Sequence, residues 1–207
     1  RVVKWCVQGE GRFGVYEVEM KFPIKDDESI KQKLVHVAAR FGDPISQIDY
    51  YFAHPVRDFS KTDEALRLRK SGQKVVMTWK GPRVDSSTKT RREIELPLGD
   101  HGLPSHQTIL DWTDMLVSLG FQKVFEVEKK RQPVRVHWRG SEIDVALDHV
   151  KNLGHFMELE LQAGKEEVVQ AQDAIRSLAK ELGYFEDEKK SYLELLLSQQ
   201  PTNNTDG

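Results

Sequence analysis

Apolar and polar residues alternate with period two along most of this chain. Segments 15–22, 65–70, 74–80, 89–96, 125–131, 134–138, 142–148 and 156–162 carry that alternation and predict β-strands, with 47–52 a shorter one. Ser71-Gly72 and Arg139-Gly140-Ser141 supply tight turns between neighbouring strands. Four stretches switch to helical spacing. Segment 27–40 places Ile30, Leu34, Val37 and Ala38 on one side and stops near Gly42, and 106–119 repeats this with Ile109, Leu110, Leu116 and Val117 ahead of Gly120. Segment 166–182 precedes Gly183, and 188–197 predicts a final helix. A glycine after each of the first three suits a left-handed residue that closes the helix.

The strands are charged on one face. In segment 16–22, Glu17, Glu19 and Lys21 share one side while Tyr16, Val18, Met20 and Phe22 share the other. Arg67 and Arg69 oppose Leu66 and Leu68. Arg91, Glu93 and Glu95 oppose Ile94 and Leu96, with Arg92 interrupting the apolar side, and Glu158 and Glu160 oppose Met157, Leu159 and Leu161. Taken strand by strand, charges facing water would account for this. Taken together, the helices need an apolar surface to cover, and the strands' apolar faces supply it. About eight strands can close into a barrel, whose inner face is then the charged one. The charges are also sorted into acidic and basic pairs, unlike the mixed signs of a solubilising surface. The expected fold is therefore α+β: a closed antiparallel β-barrel of about eight strands forming a charged tunnel, with helices packed outside.

Composition narrows the classes. The chain has 207 residues, 38% hydrophobic and 31% charged, with a formal net charge of -2 from 31 basic and 33 acidic residues. That balance argues against a general nucleic-acid coat, which needs a basic excess. The one cysteine, Cys6, excludes an intrachain disulfide and reads as a small packed residue. No apolar run is long enough for a membrane helix, and a cytoplasmic location is expected. The seven histidines lack metal-binding spacing, and Gly11-Arg12-Phe13-Gly14 has no Walker lysine. Residues 1–14 read as an N-terminal extension, 15–197 as one domain and 198–207 as a disordered tail. A charged interior is expensive unless it is hydrated or matched by a ligand of opposite sign: carboxylates can be matched by hard divalent cations, and Arg and Lys by phosphate oxygens.

Glu17-Val18-Glu19-Met20-Lys21 resembles the ExExK signature of the CYTH superfamily, the triphosphate tunnel metalloenzymes. Segments 47–52, 62–69, 79–82, 88–95, 127–131 and 147–160 follow in the order that family shows. The context of Ala65-Leu66-Arg67-Leu68-Arg69 and the segment 191–196 are most similar to the class IV adenylyl cyclase branch of bacteria and archaea. The resemblance implies Glu17, Glu19, Asp148, Glu158 and Glu160 as metal-binding positions, for Mg²⁺ or Mn²⁺. It implies Lys21, Arg67, Arg69, Lys80, Arg91, Lys129 and Arg131 as triphosphate-binding, with Lys21, Arg67, Arg69, Lys129 and Arg131 carrying catalysis. Glu93 and Glu95 match tunnel-lining positions, whereas Glu126 and Glu128 fall out of phase with Lys129 and are expected outside.

The implied activity is cyclisation of ATP to cyclic AMP and pyrophosphate. A triphosphatase acting on inorganic, nucleoside or thiamine triphosphate would use the same residues, and a non-catalytic polyphosphate- or nucleotide-binding module is a third reading. The expected partner is ATP or another triphosphate, with neither nucleic acid nor membrane. A homodimer is left open.

Overall fold

A computed structural model describes residues 16–84, 88–99 and 104–199. The expectations for residues 1–14, for Cys6 and for most of the tail lie outside them. Residues 198 and 199 are an exception: they complete a helix and do not belong to a disordered tail.

Nine strands form one sheet: β1 Tyr16–Ile24, β2 Arg40–Phe41, β3 Ile45–Ala53, β4 Ala65–Ser71, β5 Lys74–Arg83, β6 Arg91–Leu98, β7 Gln122–Trp138, β8 Ser141–Val150 and β9 Gly154–Ala163. Their order is β2-β7-β3-β4-β5-β6-β1-β9-β8, and β7 also pairs with β8. That last pairing closes eight antiparallel strands into a barrel, with β2 as an extra strand along β7. The helices are α1 Asp27–His36, α2 Phe59–Thr62, α3 Ser105–Ser118, α4 Val168–Glu181 and α5 Tyr192–Gln199.

The barrel is apolar outside and charged inside. Val18, Met20 and Phe22 of β1 join Met157 and Leu159 of β9, and Ile143, Val145 and Leu147 of β8, in a layer beneath α1 and α4. Ala171, Ala174, Ile175 and Leu178 of α4 cover it, spaced as a helix facing an apolar sheet requires. A second cluster places Ile109 and Leu116 of α3 on Phe52, Leu66, Leu68, Val75 and Leu98. A third lies at one end of the barrel, where Tyr192 and Leu196 of α5 pack on Val127, Val150 and Phe156. The largest hydrophobic stabilisation therefore comes from helix-on-barrel contact, which leaves the lumen available for polar groups.

Several boundaries differ from the sequence reading. The segments expected as 125–131 and 134–138 are one strand, β7. Pro133 interrupts neither ladder, because it sits between the end of the β3 pairing at Arg131 and the start of the β2 pairing at Val134. Its carbonyl accepts from Gly42 N at 2.8 Å, so the side lacking an N–H faces that gap. Helix α1 stops at His36 rather than residue 40, and its left-handed residue is Ala38 (φ 56°), not Gly42. Arg40 and Phe41 are instead taken up by β7. Gly120 and Gly183 hold positive φ as expected. Helix α5 starts at Tyr192, not at residue 188, because the preceding residues form an extended strap along the barrel: Glu188 N donates to Lys21 O.

Candidate active site

Cross-strand register fixes which side chains share the lumen. On β1 and β9, Glu19 faces Glu160 and Lys21 faces Glu158. On β3 and β4, Asp49 faces Arg69 and Tyr51 faces Arg67. Arg67 in turn faces Thr78 on β5, and Lys80 faces Glu93 on β6. Arg131 of β7 faces Asp148 of β8. Glu17, Glu19, Lys21, Arg67, Arg69, Lys80, Arg91, Glu93, Glu95, Lys129, Arg131, Glu158 and Glu160 line one cavity of about 570 Å³. Asp148, fully buried, stands behind that lining. Glu126 and Glu128 are exposed, as parity required.

The lumen is a set of ion pairs. Arg69 donates to both Asp49 oxygens at 2.6 and 2.8 Å, and Arg67 lies 3.6 Å from the same carboxylate. Burial alone would raise the Asp49 carboxyl, but Arg69 and then Arg67 outweigh it and hold it far below the ordinary range. Lys80 bridges Glu17 at 2.6 Å and Glu93 at 2.9 Å, and Lys89 meets Glu19 at 2.8 Å. Arg131 grips Asp148 through two bonds of 2.7 and 2.6 Å and also donates to Glu158. Lys129 (3.3 Å) and the Tyr192 hydroxyl (3.1 Å) complete the surroundings of Asp148.

Two lysines are less well matched. Burial, then the neighbouring Lys89, pulls the Lys21 ammonium down to about 7. Its Nζ donates to the Lys190 carbonyl and lies 4.2 Å from the Tyr192 ring centre. Burial, then Arg131, brings Lys129 down to about 8. Both are cations held where charge is costly, and a polyanion would relieve that.

The carboxylates divide into two groups. Burial raises Glu158 but Arg131, followed by Lys129 and Lys21, holds it well below its usual value. Glu160 is pushed well above, first by Glu17 and then by burial, and burial also raises Glu17. Among the described residues no three acidic, histidine or cysteine side chains converge in ligating geometry, since Lys80 and Lys89 reach between them. The donor chemistry nonetheless suits a hard divalent cation. Glu17, Glu19 and Glu160 are oxygen donors on one inner wall, and the raised carboxyls of Glu17 and Glu160 mark a place where a positive ion would be welcome.

Sequence reasoning missed Asp49, Tyr51, Thr78, Lys89 and Tyr192. Asp49 and Tyr51 had a signal, since they share parity with Gln47 in segment 47–52. Lys89 lies in an irregular stretch whose N–H bonds Glu19 O at 3.0 Å. Tyr192 arrives from a helix distant in sequence and left no local trace.

A curated protein of Methanocaldococcus jannaschii, provisionally named an adenylate cyclase, is 32% identical over 86% of this chain and 97% of its own length. A solved Pyrococcus horikoshii protein is 36% identical, with TM-score 0.75, covering 89% of this chain and 99% of that one. A Hippeastrum protein, described as a candidate adenylyl cyclase with a dominant triphosphatase activity, shares the fold at 15% identity. Its TM-score is 0.59, with 91% of this chain and 98% of that one covered. The CYTH domain matches residues 15–192. With that match over most of its length, and a barrel lined by the residues of the ExExK strand and its partners, the chain belongs to the CYTH family, whose members are cyclase-like or triphosphatase enzymes dependent on a divalent metal.

Proposed function

We propose that this protein is a metal-dependent enzyme acting on a triphosphate, with cyclisation of ATP to cyclic AMP and pyrophosphate as its reaction. The observation that carries the reading is the pairing of the lumen. Most of the interior cations already have a carboxylate, so a bare polyanion would gain less by entering than one that brings countercharge for those carboxylates. Phosphate oxygens can take over the Arg and Lys groups if the carboxylates they leave are matched in turn, as a divalent cation held there would do. The metal, held by Glu17, Glu19 and Glu160, would supply charge neutralisation at the phosphates; Asp148 and Glu158, which the family resemblance also implies as ligands, are engaged by Arg131 instead.

The chain's own groups then have distinct tasks. Arg67, Arg69, Lys129 and Arg131 orient the triphosphate and stabilise charge as it develops, and Asp49 and Asp148 hold those guanidinium groups in place. Lys21 regains its proton against the phosphates. The ribose 3′-hydroxyl attacks the α-phosphorus in line; the new O–P bond forms as the bond to the β-phosphate bridging oxygen breaks, and the hydroxyl proton leaves to solvent. The relative provisionally named an adenylate cyclase supports this choice. Hydrolysis is the second reading. It is favoured by a second cavity of about 480 Å³ that reaches Arg131, Glu158 and Glu160 from the other end of the barrel and could admit water to a phosphorus.

Product analysis with ATP and Mg²⁺ or Mn²⁺ tests it. Cyclic AMP with pyrophosphate in equal amounts is the expected result. Orthophosphate without cyclic AMP would replace the cyclase by a triphosphatase, and no turnover of any triphosphate would remove both.

A further inference from the structure

Lys21 and Lys129 come from strands that are not neighbours. Lys21 is on β1 and Lys129 on β7, with β9 and β8 between them in the barrel, so strand pairing does not bring their ammonium groups together. Neither has a carboxylate to itself. Among the described residues Lys21 forms no ion pair, because its cross-strand neighbour Glu158 is taken by Arg131 and Glu19 by Lys89. Lys129 reaches Asp148 at 3.3 Å, on the oxygen that Arg131 already holds at 2.6 Å.

What the two lysines share is the ring of Tyr192. Lys21 Nζ stands 4.2 Å from its centre and Lys129 Nζ 5.0 Å, both inside the roughly 6 Å over which an aromatic face attracts an ammonium. The ring is itself fixed. It is 6% exposed, its hydroxyl donates to Asp148 at 3.1 Å, and Phe156 meets it edge-on at 5.1 Å. The strap before α5 is tied twice to Lys21: Glu188 N donates to the Lys21 carbonyl, and Lys21 Nζ donates to the Lys190 carbonyl. Tyr192 nonetheless lines the charged chamber.

A ring face holds a cation without carrying a net charge. A phosphate that takes Lys80 or Lys89 leaves Glu17, Glu93 or Glu19 in the lumen with less countercharge. One that takes Lys21 or Lys129 leaves a neutral ring, and Asp148 keeps Arg131. We infer that Tyr192 is a positioning residue of the chamber: its ring seats both ammonium groups and leaves their free N–H donors to meet phosphate oxygens without an exchange of ion pairs. This rests on the chamber being the triphosphate site.

Affinity for ATP, measured by calorimetry on the full chain in EDTA so that turnover does not intervene, tests it. Tyr192→Phe keeps the ring and should bind within about twofold of wild type, whereas Tyr192→Leu should bind roughly tenfold more weakly. In a Lys21→Met background the same Tyr192→Leu change should cost no more than about threefold. Phenylalanines with one, two and three ring fluorines at position 192 should weaken ATP stepwise, because fluorine depletes the ring face at nearly constant shape. That series stands even if Tyr192→Leu does not fold. Leu178→Ala, which destabilises the α4 layer, should leave ATP affinity unchanged. Equal losses in Tyr192→Phe and Tyr192→Leu, a loss undiminished without Lys21, a flat fluorine series, or a loss in Leu178→Ala as large as in Tyr192→Leu would each overturn the role of the ring. Arg67→Ala separates the two inferences: it should weaken ATP whatever stands at position 192, and if it does not, the chamber itself is misassigned. If it does while Tyr192→Leu binds as wild type, only the role of Tyr192 falls.

Discussion

At the scale of single residues, the lumen holds charge at a cost that ligands can relieve, and the relief can be measured. Lys21 and Lys129 titrate near 7 and 8 when free, so at pH 8 they are incompletely charged. Negative phosphates raise both, and metal-free ATP binding at pH 8 should therefore take up protons, whereas at pH 6 these two are already charged and take up none. Calorimetry in buffers of different ionisation heat reads this, and no uptake at pH 8, or uptake undiminished in Lys129→Met, would contradict it. The acidic wall behaves oppositely. Glu160 and Glu17 hold protons above the usual range, so affinity for Mg²⁺ should rise with pH as they ionise. Mg²⁺ and ATP should strengthen each other's binding by the same factor, a coupling that Glu160→Gln removes without abolishing metal-free ATP binding. Asp148 is expected to act through Arg131. Asp148→Asn breaks a buried clamp, with a stability loss on the order of 3 kcal/mol or more, and should lower ATP affinity more than Mg²⁺ affinity. Inside and outside were legible at this scale from parity alone, down to the exposure of Glu126 and Glu128. What parity could not reveal was pairing across the barrel: nothing in the sequence brings Lys80 of β5 to Glu17 of β1, since those strands are far apart in the chain.

At the scale of elements, the C-terminal segment shows how local chemistry serves a distant site. Ser191 and Glu194 form a capping box, with Ser191 N donating to Glu194 at 2.6 Å and Glu194 N to Ser191 Oγ at 3.1 Å. This starts α5 at Tyr192 and aims that ring at Asp148 and Lys21. Arg83 secures the approach, donating to Asp63 at 2.7 Å and to the Lys189 carbonyl at 2.9 Å. Ser191→Ala should loosen α5 by about 1 kcal/mol, seen as faster amide exchange in α5 with unchanged protection in β7 and β8. Equal loss throughout would mean that α5 is not an independent unit. The S-x-x-E spacing was present in the sequence, so the start at residue 192 could have been read there. The early end of α1 could not. Its apolar spacing continues through Val37 and Ala38, and the competing attraction is the edge of β7, nearly a hundred residues away.

At the scale of the whole molecule, the fold is a core turned outward: greasy layers under α1, α3 and α4, and an ionic lumen within. Leu178 is fully buried in the larger layer, and Leu178→Ala should cost about 2–5 kcal/mol in denaturant unfolding, whereas a change at exposed Val169 should cost almost nothing. Strict alternation along each strand ties both environments to a single register. Substitution therefore damages one contact, but changing the number of residues damages a whole wall. One residue added within β4 after Leu68 would send Arg69 toward the greasy layer and its neighbour into the lumen, and the protein should fail to fold. The hairpin tips at Gly72 and Gly140 carry no such parity, and a side chain there would meet nothing within 4 Å. Such a protein drifts freely in the length of its turns and hardly at all in the length of its strands. The β4–β5 hairpin tip is accordingly the place to graft a foreign peptide without disturbing the lumen.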